Sequence, residues 1–256
     1  MAPPRDGVRL VTDDIAMMTR ANTNCYLVNA AAGPVLIDAG LPGSRRLLDE
    51  ALTMFGRRAG DIAAVLLTHA HFDHVGLCRS LHDEHAVPVY VHESDAALLR
   101  HPYRYAHESV RLKYPLRYPA ALPGLIRMVA AGALGVRGIE PHYDLLAADE
   151  GSHPCTPVFS PGHTYGHCAL RYASSRGGAP VEVLFTGDAL VTYDPYTGKR
   201  GPRTVARAAT ADADLGFRSL DALARTRAQV LLPGHGAAYE HGAVRAVTEA
   251  RRVGVD

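Results

Sequence analysis

Apolar residues recur along this chain in two rhythms. Short runs rich in branched side chains fall at Arg9–Thr12, Ile15–Thr19, Cys25–Asn29, Val35–Asp38, Ala63–Thr68, Pro88–His92, Thr156–Ser160, Ala169–Ala173, Val181–Thr186 and Val230–Pro233. Most are bounded by Gly, Pro, Asn or Asp, and they predict strands. Between them, apolar positions three or four apart predict helices at Ser44–Phe55, His74–His85, Ser94–Arg100, Leu215–Arg225 and Gly242–Arg252. In the first of these Leu47, Leu48, Ala51, Leu52 and Phe55 share a face, and Ser44 stands where an N-cap belongs. Strands followed by helices, in two successive sets, give a mixed α/β pattern.

One stretch, residues 101–150, departs from both rhythms. It holds Tyr103, Tyr105, Tyr114, Tyr118 and Tyr143, several prolines and an apolar helical piece at Leu122–Gly135. It reads as a helical insertion, either packed on the edge of the sheets or capping a cleft.

The chemistry gathers where strands end. His69-Ala70-His71-Phe72-Asp73-His74 follows the run Ala63–Thr68 directly. Imidazole is a good donor to zinc and related ions, and a carboxylate adds an anionic ligand. His69 and His71 are two apart, so on extended backbone they point the same way. The turn beyond lets Asp73 and His74 approach from another side, which suits two ions better than one. Three later blocks repeat the arrangement: Ser160-Pro161-Gly162-His163, Phe185-Thr186-Gly187-Asp188 and Leu232-Pro233-Gly234-His235. Each sets a His or Asp after a strand-like run and beside a glycine, which permits a tight turn. Seven candidate ligands result: His69, His71, Asp73, His74, His163, Asp188 and His235. His167 is expected to support the site or to pack in the core, and the remaining histidines to be surface or structural residues.

Composition narrows the classes. With 47% hydrophobic and 21% charged residues in 256, the chain can bury a substantial core. A formal net charge of +1 offers no electrostatic footprint for nucleic acid. No run reaches the length of a membrane span, and Met1–Asp6 lacks the apolar core of a signal peptide. Cys25, Cys78, Cys155 and Cys168 form no C-x-x-C pair and read as buried, reduced thiols. A cytoplasmic protein with no nucleic-acid or membrane partner is expected.

THAHFDHVG, SPGHTYGH, FTGDA and LPGHG, in this order, resemble the motifs of the metallo-β-lactamase superfamily. Asn24–Val28 and Val35–Gly40 resemble its opening strands, so the likeness runs from about Leu10 to about Tyr239. The resemblance implies a four-layer αββα sandwich, with residues 1–256 forming one domain and 101–150 a helical cap within it. It implies that His69, His71 and His163 hold one divalent ion and that Asp73, His74 and His235 hold a second. Asp188 would bridge the two. Zinc is the expected metal, with iron or manganese suited to the same ligand types. Such a pair activates a water, with Asp73 orienting it and shuttling a proton. Tyr193, shortly after Asp188, is a candidate hydrogen-bond donor to a developing oxyanion. Lys199, Arg200 and Arg203 in the same loop read as solvated charges. The substrate expected from the resemblance is a small acyl compound: a carboxylic ester, lactone or thioester. The alternatives within the same motif are a mononuclear iron persulfide dioxygenase and a phosphodiesterase.

Overall fold

The computed structural model describes residues 5–111, 113–147 and 153–256. Met1–Pro4, where the signal-peptide reading begins, and the last three positions of the 101–150 insertion lie outside the described residues. The first sheet is built from β1 (Gly7–Leu10), β2 (Ile15–Arg20), β3 (Thr23–Ala30), β4 (Gly33–Ile37), β5 (Ala64–Leu66), β6 (Val89–Val91) and β7 (Tyr143–Asp144), in that order. β1 to β4 form an antiparallel meander, and β4 to β7 run parallel. The second sheet has the order β13 (Val230–Pro233), β10 (Ala179–Gly187), β9 (Cys168–Arg176) and β8 (Thr156–Phe159).

Strand alternation explains why both sheets are covered twice. Successive side chains on a strand point to opposite faces. Ile15, Met17, Tyr26, Val28, Val35 and Ile37 meet Leu170, Val183, Phe185, Val230 and Leu232 in a core between the sheets. The residues between them, Ala16, Met18, Leu27 and Leu36, face outward into a cluster with Leu48 and Leu52 of α1 (Arg45–Met54), Leu81 of α2 (Cys78–His85) and Leu99 of α3 (Ala96–Arg100). On the far side Leu184 and Leu231 pack on α6 (Ala213–Arg225) and α7 (Ala243–Val253) through Leu220, Leu223, Ala246 and Val247. Both faces of the central strands are therefore apolar, as burial on both sides requires. The result is the expected αββα sandwich. The Tyr26 hydroxyl donates to Pro233 O at 2.6 Å and ties one sheet to the other.

Three local expectations need correction. Ser44 does not cap α1: its backbone is already helical (φ −85°, ψ −7°) at the end of a 3₁₀ turn over Pro42–Ser44, and it makes no side-chain cap bond. The second helix begins at Cys78, not His74, because residues 74–77 bond to another loop. Gly76 N donates to Gly40 O at 2.7 Å and Leu77 N to Ala39 O at 3.1 Å. A Cβ on Gly76 would lie 2.5 Å from Gly40 O, so only glycine permits this approach. The segment after Asp188 is not an irregular loop but a ribbon of β11 (Val191–Tyr193) and β12 (Arg200–Arg203).

The described part of the 101–150 stretch is partly strand and partly helix. β7 extends the first sheet, and the stretch also carries α4 (Lys113–Arg117) and α5 (Leu122–Ala130). Met128, Ala131 and Ala133 pack on Ala21 and Leu41, and Tyr114 packs on Ala206 and Ala208. Among the described residues no helix is long and apolar enough to cross a membrane.

Candidate metal centre

All seven candidate ligands sit just beyond the C-terminal ends of β5, β8, β10 and β13, and all are buried. Their donor atoms fall into two groups, His69–His71–His163 and Asp73–His74–His235, each within 4.8 Å. Asp188 stands between the groups. Its Oδ2 lies 3.5 Å from His163 Nε2 and 3.3 Å from His235 Nε2, and its Oδ1 lies 3.6 Å from His74 Nε2. Asp73 Oδ2 is 3.3 Å from His235 Nε2. The two His69 and His71 rings stand 4.8 Å apart, on the same side as their spacing predicts.

The surroundings fix which nitrogen of each ring faces inward. His74 Nδ1 donates to Asp38 Oδ2 at 2.9 Å and His235 Nδ1 to Asn22 O at 2.9 Å. Thr68 Oγ1 donates to Asp38 at 2.8 Å, so it accepts from His69 Nδ1 at 3.0 Å. Thr210 Oγ1 donates to Val205 O at 3.0 Å and accepts from His163 Nδ1 at 3.4 Å. With the outer nitrogens holding protons, the Nε2 atoms of His69 and His163 carry lone pairs toward the centre, and those of His74 and His235 do so when their rings are neutral. His71 turns Nδ1 to within 2.9 Å of His163 Nε2.

That inward convergence leaves unmet needs. His69 Nε2, His71 Nε2, His74 Nε2 and Asp188 Oδ1 are buried without a hydrogen-bond partner. Buried polar atoms rarely stay unpaired, because each costs about 1–3 kcal/mol. Donor atoms this close together call for cations among them, protons or metal ions, and the His and Asp set fits divalent ions.

Electrostatics agree. Burial, with the neighbouring imidazoles, pulls His69 and His163 well below the ordinary histidine range; burial brings His71 down to about 4. These rings therefore stay neutral donors. Burial also opposes charge on His74, yet Asp188, Asp38 and Asp73 outweigh it and raise His74 to about 9. Burial opposes charge on His235 as well, and Asp188 and Asp73 raise it well above its usual value. Burial works against ionised Asp188, but His235 and His74 hold it well below the usual carboxylate range. The field at the second group favours positive charge.

His167 supports rather than joins the set. Its Nε2 accepts from the backbone of Asp188 and Ala189 at 3.1 and 3.2 Å, and its Nδ1 donates to Ser160 Oγ at 2.9 Å. Asp38 escaped the sequence reading, although it too ends an apolar run. It forms a close group with His69 and His74, but its oxygens are committed to Thr68 N, Thr68 Oγ1 and His74 Nδ1, so it orients the His74 ring and the turn that carries His69. Asp95 is a second such residue: it accepts from Ala70 N at 3.2 Å, Thr164 Oγ1 at 2.7 Å and Gly166 N at 2.9 Å, joining the loops of His69–His71 and His163.

A cavity of roughly 200 Å³ opens on the cluster, bordered by His71, Asp73, His163, Asp188 and His235. Leu125, Met128, Val129 and Leu134 from the insertion form an apolar wall of this cavity. Tyr193 does not border it. Tyr193 is buried, its hydroxyl beneath Gly124 of α5, where a Cβ would come within 3.3 Å of it. The phenols that border the cavity are Tyr103, Tyr105 and Tyr196, with Tyr105 and Tyr196 hydroxyls 3.1 Å apart. Lys199 and Arg203 both pair with Asp256.

Comparison with known proteins adds relatives. The family model described as the Metallo-beta-lactamase superfamily matches residues 18–235. A Bacillus subtilis protein described as probable metallo-hydrolase YflN is 31% identical over 230 residues, covering 83% of this chain and 80% of its own. The structure of BJP-1, a subclass B3 metallo-beta-lactamase of Bradyrhizobium japonicum, superposes with a TM-score of 0.66 at 19% identity, over 98% of this chain and 92% of that one. The metallo-beta-lactamase GOB-18 of Elizabethkingia meningoseptica gives 0.65 at 18% identity, over 92% and 80%. At those identities the two structures speak for the fold.

Proposed function

This chain belongs to the metallo-β-lactamase superfamily, and from that premise we propose that it is a dinuclear zinc hydrolase of a small carboxylic ester, lactone or thioester. The coarser part, a metal-dependent hydrolase, follows from the family and from a relative described as a probable metallo-hydrolase. The observation that carries the dinuclear reading is the set of buried, unpartnered acceptors spread across two groups with Asp188 between them.

His69, His71 and His163 would hold one ion, Asp73, His74 and His235 the other, and Asp188 both. Two such ions, when bound, would supply Lewis acidity and bring the pKa of water at the site toward neutral. Iron or manganese would suit the same donors. The protein's own groups do the positioning. Asp38, Thr68, Thr210 and Asn22 O hold the ligand rings in one tautomer. Asp73 borders the cavity with its carboxylate ionised, since His74 and the His235 contact outweigh the burial that would raise it. It is the residue we assign to orienting the nucleophile and accepting its proton. The apolar wall from α5 suits an acyl chain and excludes water from it.

The test is a substrate panel on protein whose metal content is measured. Near two ions per chain and turnover of lactones, activated esters or acyl thioesters would support the reading. One iron per chain with oxygen uptake on a persulfide, or phosphodiester cleavage far above any acyl hydrolysis, would overturn it.

A further inference from the structure

Arg111 is the cavity residue that the hydrolase reading leaves unused. It borders the same space as His71, Asp73 and His163, half-buried in the insertion. Its guanidinium carbon sits 3.9 Å above the Tyr105 ring, and that ring is 4.2 Å from His71. The two distances together bound its separation from the His71 ring at roughly 8 Å. Two contacts hold the group in place: Nε donates to Ala208 O at 3.3 Å and Nη2 to Tyr105 O at 3.4 Å. Both acceptors are neutral. Among the described residues no carboxylate pairs with it, whereas Arg20, Arg45, Arg100, Arg171 and Arg207 each have one.

An arginine stacked on an aromatic ring, pinned by two carbonyls and facing a largely apolar cavity, presents its remaining N–H bonds to whatever enters. We propose that Arg111 is a specificity-determining residue that binds a carboxylate of the substrate, one short chain away from the scissile acyl group. The reaction's substrate is then an acid-bearing ester, lactone or thioester rather than a neutral one. This rests on the proposed hydrolase reading. The planar fork of a guanidinium matches a carboxylate in two parallel bonds, and the low-polarity wall beside it strengthens each. A charge-assisted bond of this kind corresponds to about ten- to a hundredfold in affinity.

Two measurements separate this proposal from the hydrolase reading. The first compares kcat/KM for p-nitrophenyl monoesters of succinic and glutaric acid with the butyrate and valerate esters of equal length. The wild type should favour an acid ester at least tenfold, and Arg111→Gln should bring that ratio close to one. Arg111→Lys, keeping charge without the fork, should retain part of it. The second needs no turnover: calorimetric binding of glutarate, butyrate and 3-phosphonopropionate to the metal-loaded protein. One carboxylate is free to meet the ions, so the gain from glutarate's second carboxylate reports Arg111. That gain should be about tenfold or more in the wild type and absent in Arg111→Gln. If no ester is turned over but the glutarate gain depends on Arg111, the hydrolase reading fails and the carboxylate site stands. A preference that survives Arg111→Gln, no glutarate gain, or a phosphonate advantage over glutarate of tenfold that disappears in Arg111→Gln would each overturn the carboxylate assignment.

Discussion

Replacing Asp38 by asparagine tests whether ligand orientation governs metal binding here. The carboxylate accepts from Thr68 N at 2.8 Å, from Thr68 Oγ1 at 2.8 Å and from His74 Nδ1 at 2.9 Å, so it donates nothing. Asparagine keeps the shape but has one acceptor oxygen and one amide nitrogen. With the oxygen toward Thr68 N, the amide faces His74 Nδ1, and His74 must move its proton to Nε2 and lose the inward lone pair. With the oxygen toward His74, the amide meets Thr68 N–H, donor against donor, and the turn carrying His69 is displaced. Either outcome forfeits one hydrogen bond to a charged group, about 1.5–3 kcal/mol, which is roughly ten- to 150-fold. The loss should fall mainly on the ion held by Asp73, His74 and His235. Competition with a chromogenic chelator resolves the two affinities. We expect one weakened by about ten- to a hundredfold and the other within a few-fold of wild type. Two ions bound with unchanged affinity would refute the orienting role of Asp38.

Other outcomes follow from the same geometry. Asp95→Asn should lower stability by about 1–3 kcal/mol, because the amide cannot accept from both Gly166 N and the Ala70–Thr164 pair; a thermal melt at fixed metal concentration measures it. Gly234→Ala should strip metal from an otherwise folded protein, since the new Cβ would lie 2.2 Å from Asp188 Oδ1 and 2.7 Å from His74 Cε1; elemental analysis against circular dichroism separates the two effects. Removing metal with EDTA should abolish hydrolysis and lower the melting temperature by on the order of 10 °C, as expected for ligand held near a thousand times its Kd. Unchanged melting would mean that the clustered acceptors are satisfied without ions.

The sandwich and the gathering of His and Asp side chains at strand ends were legible because both follow local rules. Strands covered on two faces read as unbroken apolar runs, and a ligand set at strand ends shows as His or Asp after such a run beside glycine. What escaped depends on distant partners. Asp38 ends an apolar run like the ligands do, but its bonds go to residues thirty or more positions away. Tyr193 follows Asp188 closely, yet the turn into β11 carries it under α5, while Tyr105 and Tyr196 converge on the cavity from segments 91 positions apart. Arg111 lies in a stretch read for its tyrosines and apolar residues, and its stacking on Tyr105 and its two carbonyl contacts appear only in the fold. The second helix starts late because Gly76 is claimed by Gly40, a backbone contact without a side-chain signal.

Each proposed metal position draws ligands from both sheets: His69, His71, Asp73 and His74 follow β5 of the first, while His163, Asp188 and His235 follow β8, β10 and β13 of the second. An ion held there would clip together points of the chain as far apart as positions 73 and 235. The first sheet alone assembles only part of either set, so tight metal uptake must wait until the two sheets have docked. Metal capture would then mark a late stage of folding, its rate set by closure of the seam and not by ion concentration once ion is in excess. The same clip acts in reverse: opening the seam requires an ion to surrender ligands on one side first, which would place its dissociation on the unfolding pathway and make kinetic persistence of the fold a property of metal exchange.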